Sequence, residues 1–351
     1  MENDEIHVNI NPDRAGSTSS SDASGNLPAE LFQEPFVVPD FPPDVLSLDE
    51  QAKRLTQKGV HGSPAAMQLL LEKMNYRTVT KYCRAIEKKA GNGALLSENI
   101  LALAVFDKRL QSVLMQGIGI VELQFRAVYS RLMATYLGPF AHHDPENFKN
   151  KEHYEAFLVD YARELSFKLE NRTIVNAEDF RVYGDVPIWQ AAEILGLGTL
   201  SKLYRNTCSR DVRRGVADAF GVKFEYLVSW LRTICEVRNR CAHFEDVCLT
   251  PLTCRPKRIK GINASNEGAF YAGLIIERLI EGNEISLSHS PADMHYTLFA
   301  NNLLDVVGKA PQPVSLAAGF PLNWISQLKS SSNLISNVDI TYYEATSRRT
   351  I

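Results

Sequence analysis

The chain has 351 residues, of which 45% are hydrophobic and 23% are charged, and its formal net charge is −3. These values are ordinary for a globular protein and exclude a wholly disordered chain, a collagen-like chain and a small disulfide-stabilised domain. Because acidic and basic residues nearly balance, no overall positive charge draws the chain onto nucleic acid or acidic membranes. A nucleic-acid function would therefore need a local cluster or a catalytic site.

Neither the cysteines nor the N-terminus points to a metal site, export or a membrane anchor. The six cysteines include no CxxC pair, whereas thiolate zinc sites usually begin with a short gap of that kind. The acidic start, MENDEIHVNINPDR, lacks the basic and apolar regions of a signal peptide. No apolar run approaches the roughly 18–20 residues that span a bilayer. We therefore expect a cytoplasmic protein with reduced thiols, no membrane partner, no metal and no cofactor.

Residues 1–45 differ in composition from the rest of the chain. The segment AGSTSSSDASGN is small and polar, and PFVVPDFPPD contains four prolines. Such a segment buries too little apolar surface to offset the entropy that it loses on ordering. We predict a disordered tail at residues 1–45.

From residue 46 onward the spacing of apolar residues predicts helices in close succession. The first three are predicted over residues 46–58, closed by Gly59, over residues 64–74, begun by Ser63 as N-cap and Pro64 in the first turn, and over residues 77–90. A long apolar segment, residues 97–137, follows. Within it Gly117 and Gly119 are expected to weaken the helix and mark a bend.

The second half of the chain is also predicted to be helical. Helical patterns cover residues 150–169, 185–206 (two short helices joined at GLG), 209–221, 223–247, 268–282 and 293–308. Alternation with a period of two, which is typical of strands, is scarce, and ISLSHS is the short candidate. The prediction is a mainly α fold with a helical core at residues 46–250. Residues 251–330 are expected to form a C-terminal helical part of the same domain, and residues 331–351 a frayed tail.

The most informative segment is WLRTICEVRNRCAHFEDV, residues 230–247. Its apolar residues form a stripe that faces the core, and Arg238, Asn239, Arg240 and His243 stand against it. Asn239 and His243 are four residues apart and share a helix face. Arg238 precedes His243 by five residues, about 140° around an ideal helix. Its long side chain, or a local bend, must therefore bring the guanidinium toward the imidazole.

These residue types suit the cleavage of a phosphodiester bond. Arginine offers a planar fork of donors to phosphate oxygens, and histidine can remove or return a proton near neutral pH. With RNA the ribose 2′-OH is an internal nucleophile, so the reaction requires no metal. The R-x4-H spacing alone is a frequent chance match, and the bland alternative is a solvated arginine and a hydrogen-bonded histidine on a helix face.

Several ordered segments resemble one bacterial family. They are LSLDEQAKRLTQKG with LLLEKMNYR, VFDKRLQSVLMQGIGIVELQFRAVYSRLMATYLG, DVPIWQAAEILGLGTLSKLY, RNRCAH and GFPLNW. Together they are similar, in this order, to elements of the Abi-like abortive-infection proteins of the AbiD/AbiF type. RNRCAH also resembles the R-N-x-x-A-H form of the HEPN-type nuclease motif. The resemblance covers about residues 46–327.

The resemblance implies a HEPN-like helical bundle with additional helices, and a metal-free endoribonuclease that acts in phage defence. It implies that Arg238 binds phosphate and stabilises the transition state, that His243 transfers the proton and that Asn239 supports them. It also implies a homodimer in which two motif helices form a composite site. The chain departs from the family after the motif, where the acidic FEDV, residues 244–247, replaces a second histidine and R-L-W-N.

Further polar residues allow a structural and a functional interpretation. Glu122 and Arg126 lie four residues apart in an apolar helix, in the favourable acid-first order, and form either an internal pair or a supporting part of the active site. Tyr76 and Arg77 either approach the site or close a helix junction. Arg240, beside the motif, is another supporting candidate.

A basic cluster follows the motif closely and consists of Arg255, Lys257, Arg258 and Lys260. Two interpretations of this cluster stay open: a solvated loop and a surface that binds the RNA backbone.

Two other polar sites are not expected to carry the chemistry. His142 and His143 are adjacent beside Asp144, cannot share one helix face and have no evident third ligand, so we do not expect a metal there. Asp107, inside the long apolar segment, is interpreted as structural.

The resemblance therefore implies a bacterial phage-defence effector, and the motif residues favour one that cleaves RNA. Its expected partners are RNA and a second copy of the chain, with an antitoxin or a phage-derived activator as further candidates. Two alternatives stay open: a non-catalytic RNA- or protein-binding module of HEPN architecture, and the toxin of a toxin–antitoxin pair.

Overall fold

A computed structural model describes residues 45–170, 185–286 and 295–331. The predicted tails lie outside these ranges apart from residues 45 and 331. The strand candidate ISLSHS also lies largely outside them, and its first two residues are helical. Contacts divide the chain into the units Met1–Glu50 and Gln51–Ile351.

The described end of the first unit contains a capping box. The Ser47 N–H donates to the Glu50 carboxylate at 2.8 Å, and the Glu50 N–H donates to the Ser47 hydroxyl at 3.3 Å. These reciprocal bonds satisfy backbone donors that the first helical turn leaves free.

The described residues form 13 α-helices and no β-strand, which confirms the predicted mainly α class. The helices are α1 (Leu48–Gln57), α2 (Pro64–Lys73), α3 (Tyr76–Ala90), α4 (Ser97–Leu137), α5 (Lys151–Glu170), α6 (Ile188–Ile194), α7 (Leu197–Asn206), α8 (Arg210–Ala219), α9 (Phe224–Ala242), α10 (Ala269–Ser286), α11 (His295–Gly308), α12 (Gln312–Ala317) and α13 (Trp324–Ser331). None of these described helices combines the length and apolar character that crossing a membrane requires.

Helix ends follow the capping residues in the sequence. The Ser63 hydroxyl accepts the Ala66 N–H at 3.2 Å, with Pro64 as the first residue of α2. After α1 the backbone turns at Gly59, where φ is 85°. Only glycine adopts this left-handed conformation without a steric cost, so it is an efficient stop.

Helix α4 is the centre of the fold. It packs against α2, α3 and each helix from α6 to α12. Buried residues such as Leu110, Leu114 and Phe125 occur along much of its length. A helix with partners on most of its surface is apolar all round, which explains the weak amphipathic pattern of this segment.

The helical assignment of α4 runs without interruption through Gly117 and Gly119, where the sequence predicts a bend. Gly117 instead permits close packing, because a Cβ atom there would lie 2.5 Å from Ile276 of α10 and 2.6 Å from the Phe299 ring of α11. A Cβ atom at Gly119 would meet nothing within 4 Å. Helix packing therefore requires a glycine at position 117 but not at position 119.

Substituting these two glycines should have opposite effects. Gly117→Ala is expected to lower the free energy of unfolding by about 1–3 kcal/mol, because buried side chains must move. Gly119→Ala is expected to raise it by about 0.5–1 kcal/mol, since alanine is the better helix former and meets no neighbour. Urea unfolding of both variants measures the difference, and equal effects would contradict the packing role of Gly117.

Candidate functional site

The motif helix α9 ends at Ala242, not near residue 247 as the sequence predicts. His243 is the C-cap, and Phe244 follows with a left-handed φ of 57°. The Glu245 N–H donates to the Arg240 carbonyl at 2.9 Å and the Phe244 N–H to the Cys241 carbonyl at 3.2 Å, which is the Schellman pattern. The prediction was wrong because this stop normally carries glycine or asparagine, and phenylalanine gives no such signal.

The backbone after the motif is held by side chains of α4. Lys108 donates to the Phe244 carbonyl at 2.8 Å, and Gln111 donates to the Glu245 carbonyl at 2.7 Å. One oxygen of the buried Asp107 carboxylate accepts the N–H groups of residues 247 and 248, at 3.1 and 3.0 Å. Asp107 thus has the structural role that the sequence indicates, and it fixes where the motif ends.

Arg240 and Glu236 fasten the next part of this loop to α9. Arg240 is buried and donates to Glu236 at 2.6 Å and to the carbonyls of Thr250 and Pro251. Burial would raise the pKa of the Glu236 carboxyl. The N–H groups of residues 253 and 254, the Thr253 hydroxyl and Arg240 outweigh burial and hold the pKa below its ordinary value. Within the described residues the guanidinium of Arg240 contacts Glu236 of its own helix and two carbonyls of this loop, so the structure gives it an anchoring position.

The remaining motif residues lie at the open end of α9. His243 is exposed, and its imidazole has no hydrogen-bond partner in the described part of the chain. Arg238 is half-buried and donates to the exposed Asn239 side chain at 3.4 Å. The Asn239 carbonyl accepts the His243 N–H at 2.9 Å. Asn239 therefore connects the two predicted catalytic residues, through its side chain on one side and its backbone on the other.

Glu122 and Arg126 form the internal ion pair that the sequence allows. Their side chains are 18% and 12% exposed, and Arg126 also donates to the Ala192 carbonyl of α6. Burial raises the pKa of the nearby Cys235 thiol to about 11, and the charges of both Glu122 and Arg238 act on that thiol. The pair is therefore structural in its contacts and lies in the same region as Arg238.

The start of α3 does not place its two candidates at the motif. Tyr76 packs under Lys58, whose ammonium lies 5.3 Å from the ring centroid, and Arg77 is exposed. Their neighbours Asn75 and Thr78 line a cleft between α2, α3, α4 and the loop after the motif. Tyr76 and Arg77 thus occupy a helix junction beside that cleft.

A cleft of about 1080 Å³ lies between α2, α3, α4 and the loop after the motif. Its charged lining consists of Lys73, Lys81, Lys108, Arg109, Arg240, Glu245 and Asp246. Lys81 is paired with Asp246 at 3.4 Å, and Lys108 is bound to the loop backbone. The side chains of Lys73, Arg109 and Glu245 have no ion pair among the described residues, so the unpaired charges are two positive and one negative, a balance that favours an anion.

An aromatic side chain stands at the rim of this cleft. Phe244 is 78% exposed although it is large and apolar. Its left-handed backbone is unfavourable for a bulky residue by about 1–2 kcal/mol. Strain of this kind is frequent at functional sites. An exposed ring beside free cations is an arrangement that can stack a base and bind its phosphate.

Replacing Phe244 with glycine should raise stability and weaken RNA binding. Phe244→Gly is expected to raise the free energy of unfolding by about 1 kcal/mol, because glycine adopts the left-handed conformation without strain. The same change should weaken binding of single-stranded RNA by about 1–3 kcal/mol, since a stacking ring is lost. Thermal unfolding and fluorescence anisotropy measure the two effects, and Phe244→Ala should lose the binding without gaining the stability. Unchanged RNA affinity in both variants would contradict the stacking role.

The four cations of the basic cluster are exposed, and the backbone beside them is tied to α9 upstream of the motif. Lys257 is tied to the first half of α9, because its N–H donates to Ser229 and its carbonyl accepts the Trp230 indole N–H. Trp230 precedes Arg238 by about two helical turns, or about 12 Å along the axis. Arg255 is paired with Glu267 at 2.6 Å. Arg258 donates to a backbone carbonyl at 3.4 Å, and Lys260 is exposed.

The family model described as Abi-like protein matches residues 69–248, just over half of the chain. This region includes the motif, Glu122, Arg126 and most of the cleft, and it ends before the basic cluster. The comparisons with curated proteins and with solved structures gave no match.

Proposed function

Because the chain belongs to the Abi-like protein family, we propose that it is a phage-defence effector of the abortive-infection type, and that it acts by cleaving RNA without a metal. Arg238 would bind the scissile phosphate, and His243 would transfer the proton. Asn239 would hold Arg238 and His243 in position relative to each other.

The observation that carries this proposal is the state of His243. A histidine kept for packing is usually buried and hydrogen-bonded, whereas this ring is exposed and has no partner in the described ranges. It is held at a rigid helix end whose geometry is fixed by the Schellman turn and by α4. The half-buried Arg238 is bound by the Asn239 side chain alone among the described side chains, so its remaining donors are available to phosphate.

The reaction follows from these groups. An imidazole removes the proton of the ribose 2′-OH, and the 2′-oxygen attacks phosphorus while the 5′-oxygen leaves and takes up a proton. The products are a 2′,3′-cyclic phosphate and a 5′-hydroxyl. Arg238 stabilises the negative charge that develops on the phosphate oxygens. One proton is removed and one is delivered, so two imidazoles serve the reaction better than one.

A homodimer would supply a second His243 and a second Arg238. Two copies of the exposed end of α9 related by a two-fold axis would place two His243 and two Arg238 side chains together, and two-fold dimers are the commonest homo-oligomers. Concentrated positive charge would repel without an anion. We therefore expect RNA or phosphate to strengthen the dimer, which light scattering at micromolar concentration measures. A monomer that cleaves at full rate would contradict the composite site.

The experiment that tests the function uses purified protein and single-stranded RNA. EDTA is added immediately before the RNA, and the ends of the fragments are analysed by mass spectrometry. Cleavage should persist, and the fragments should carry 2′,3′-cyclic phosphate or 3′-phosphate. Loss of cleavage on chelation that Mg²⁺ restores would contradict the metal-free mechanism.

A second candidate is a binding module without catalysis. The observation in its favour is that the cleft of about 1080 Å³ includes neither Arg238 nor His243 in its lining. In this case the protein would bind RNA through the cleft and leave it intact, with equal affinity in wild type and His243→Ala. Fragment analysis and anisotropy on the same samples separate the two functions.

A further inference from the structure

Two histidines and one aspartate meet where the chain leaves α4 and where it enters α6. His142 and His143 belong to the short turn Ala141–His143, and Asp185 lies directly before α6. Their ligand atoms, one from each residue, all lie within 4.8 Å of one another. No third ligand is evident from the sequence around the two histidines, because Asp185 is more than forty residues further along the chain.

The buried ring of His142 is the unusual feature of this cluster. The residue is 0% exposed, and both ring nitrogens lack a hydrogen-bond partner in the described part of the chain. A buried polar atom without a partner is costly and is rare in proteins. A cation bound to one of the nitrogens would remove that deficit.

The carboxylate of Asp185 is oriented as a single-oxygen ligand. Its Oδ1 accepts the Tyr161 hydroxyl and the Val186 N–H, while Oδ2 faces the His143 Nε2 at 2.8 Å. Ligand atoms around a tetrahedral zinc ion are about 3.3 Å apart, since the metal–ligand bonds are about 2.0 Å long. The pair therefore needs to open by about half an ångström to admit a metal. Tyr161 is a supporting hydrogen bond of the kind that fixes metal-binding carboxylates.

The protonation states also suit a metal. Burial lowers the pKa of His142 to about 3, His143 lowers it further and Asp185 opposes the change, so the ring is neutral at physiological pH. Burial raises the pKa of Asp185, but hydrogen bonds from His143, Tyr161 and Val186 outweigh burial and hold it below the ordinary value. Neutral imidazole and ionised carboxylate are the forms that bind metals.

We propose that His142, His143 and Asp185 form a binding site for one divalent cation of the zinc type. Two imidazole nitrogens and one carboxylate oxygen favour Zn²⁺, Co²⁺ or Ni²⁺ over Mg²⁺ and Ca²⁺, which prefer oxygen ligands alone. Three protein ligands leave the fourth position of a tetrahedral zinc for water or another donor. Asp144 is not part of this cluster, and its carboxylate accepts the Glu146 N–H at 3.0 Å. The site is independent of Arg238 and His243, and the bound ion would join the end of α4 to the start of α6.

The test measures zinc binding by the full chain. Protein stripped with EDTA and dialysed is titrated with ZnCl₂ by calorimetry, and the metal retained after gel filtration is measured by mass spectrometry. Wild type should bind one zinc ion per chain. Asp185→Asn and His143→Asn should bind at least about 100-fold more weakly, and Tyr161→Phe about 10–100-fold more weakly. The control His153→Asn, an exposed residue on α5, should bind as wild type does.

The outcomes distinguish this site from the proposed nuclease. His243→Ala should bind zinc normally even though it is expected to lose RNA cleavage. Circular dichroism checks that each variant is folded, and if Asp185→Asn unfolds, His143→Asn and Tyr161→Phe decide. Absence of zinc binding by the wild type, or equal binding by wild type and both ligand variants, would overturn the proposal. It would leave His143 and Asp185 as a hydrogen-bonded pair beside a buried ring.

Discussion

Expression of His243→Ala is expected to abolish growth arrest and RNA cleavage together. A positioned proton-transfer group contributes about 10²–10⁴-fold to a reaction rate, so the cleavage rate should fall by at least about 100-fold. Arg238→Ala should cause a similar loss, because charge that develops on the phosphate is then not stabilised. Total RNA from induced cells, analysed beside the growth curve, measures both effects at once.

The structure offers a matched control for this experiment. Arg232 is an exposed arginine on the same helix, about three turns before the motif histidine. Arg232→Ala removes the same charge and should keep cleavage within about twofold. His243→Ala should also keep the melting temperature of the wild type, because the ring is exposed and has no partner in the described ranges. Full cleavage by folded His243→Ala would show that His243 does not transfer the proton.

Asp107→Ala is expected to have the largest effect on stability. The buried carboxylate accepts two backbone N–H groups from the loop after the motif and one N–H from Gln111. Removing it leaves these donors unpaired in the interior, and the free energy of unfolding should fall by about 3–5 kcal/mol. Urea unfolding measures the change. Cleavage at temperatures where the variant is folded should also fall, since the motif end of α9 is then less firmly held.

A surface aspartate provides the comparison. Asp218 is 64% exposed and paired with Arg214, which is also exposed, at 3.4 Å. Asp218→Ala should change stability by less than about 0.5 kcal/mol, because exposed ion pairs contribute little. If the two variants lose similar stability, the Asp107 carboxylate does not hold the loop after the motif.

The helices were predictable because their signals are local. Ser63 and Pro64 begin α2 as expected, and Gly59 and Gly91 close their helices with φ values of 85° and 83°. These residues act on backbone groups within one turn, so the sequence contains the whole interaction. The role of Gly117 could not be derived in this way, because the atoms that require it belong to α10 and α11.

The candidate site was predictable only in part, for the same reason. The residue types of the motif predicted a site at the end of α9. The turn that ends this helix, however, is held by Asp107 and Gln111, more than 130 residues earlier. Asp185 likewise meets the two histidines through the packing of α6 against α4. Contacts between distant segments leave no spacing pattern in the sequence.

The central position of α4 also limits how the protein can be shortened. Helices on both sides of it in the sequence, α2 and α3 before and α6 to α12 after, use it as their common packing surface. A fragment that ends within α4 would expose apolar faces and lose the side chains that hold the motif loop. The motif helix therefore cannot be transplanted or studied as a peptide with its geometry intact.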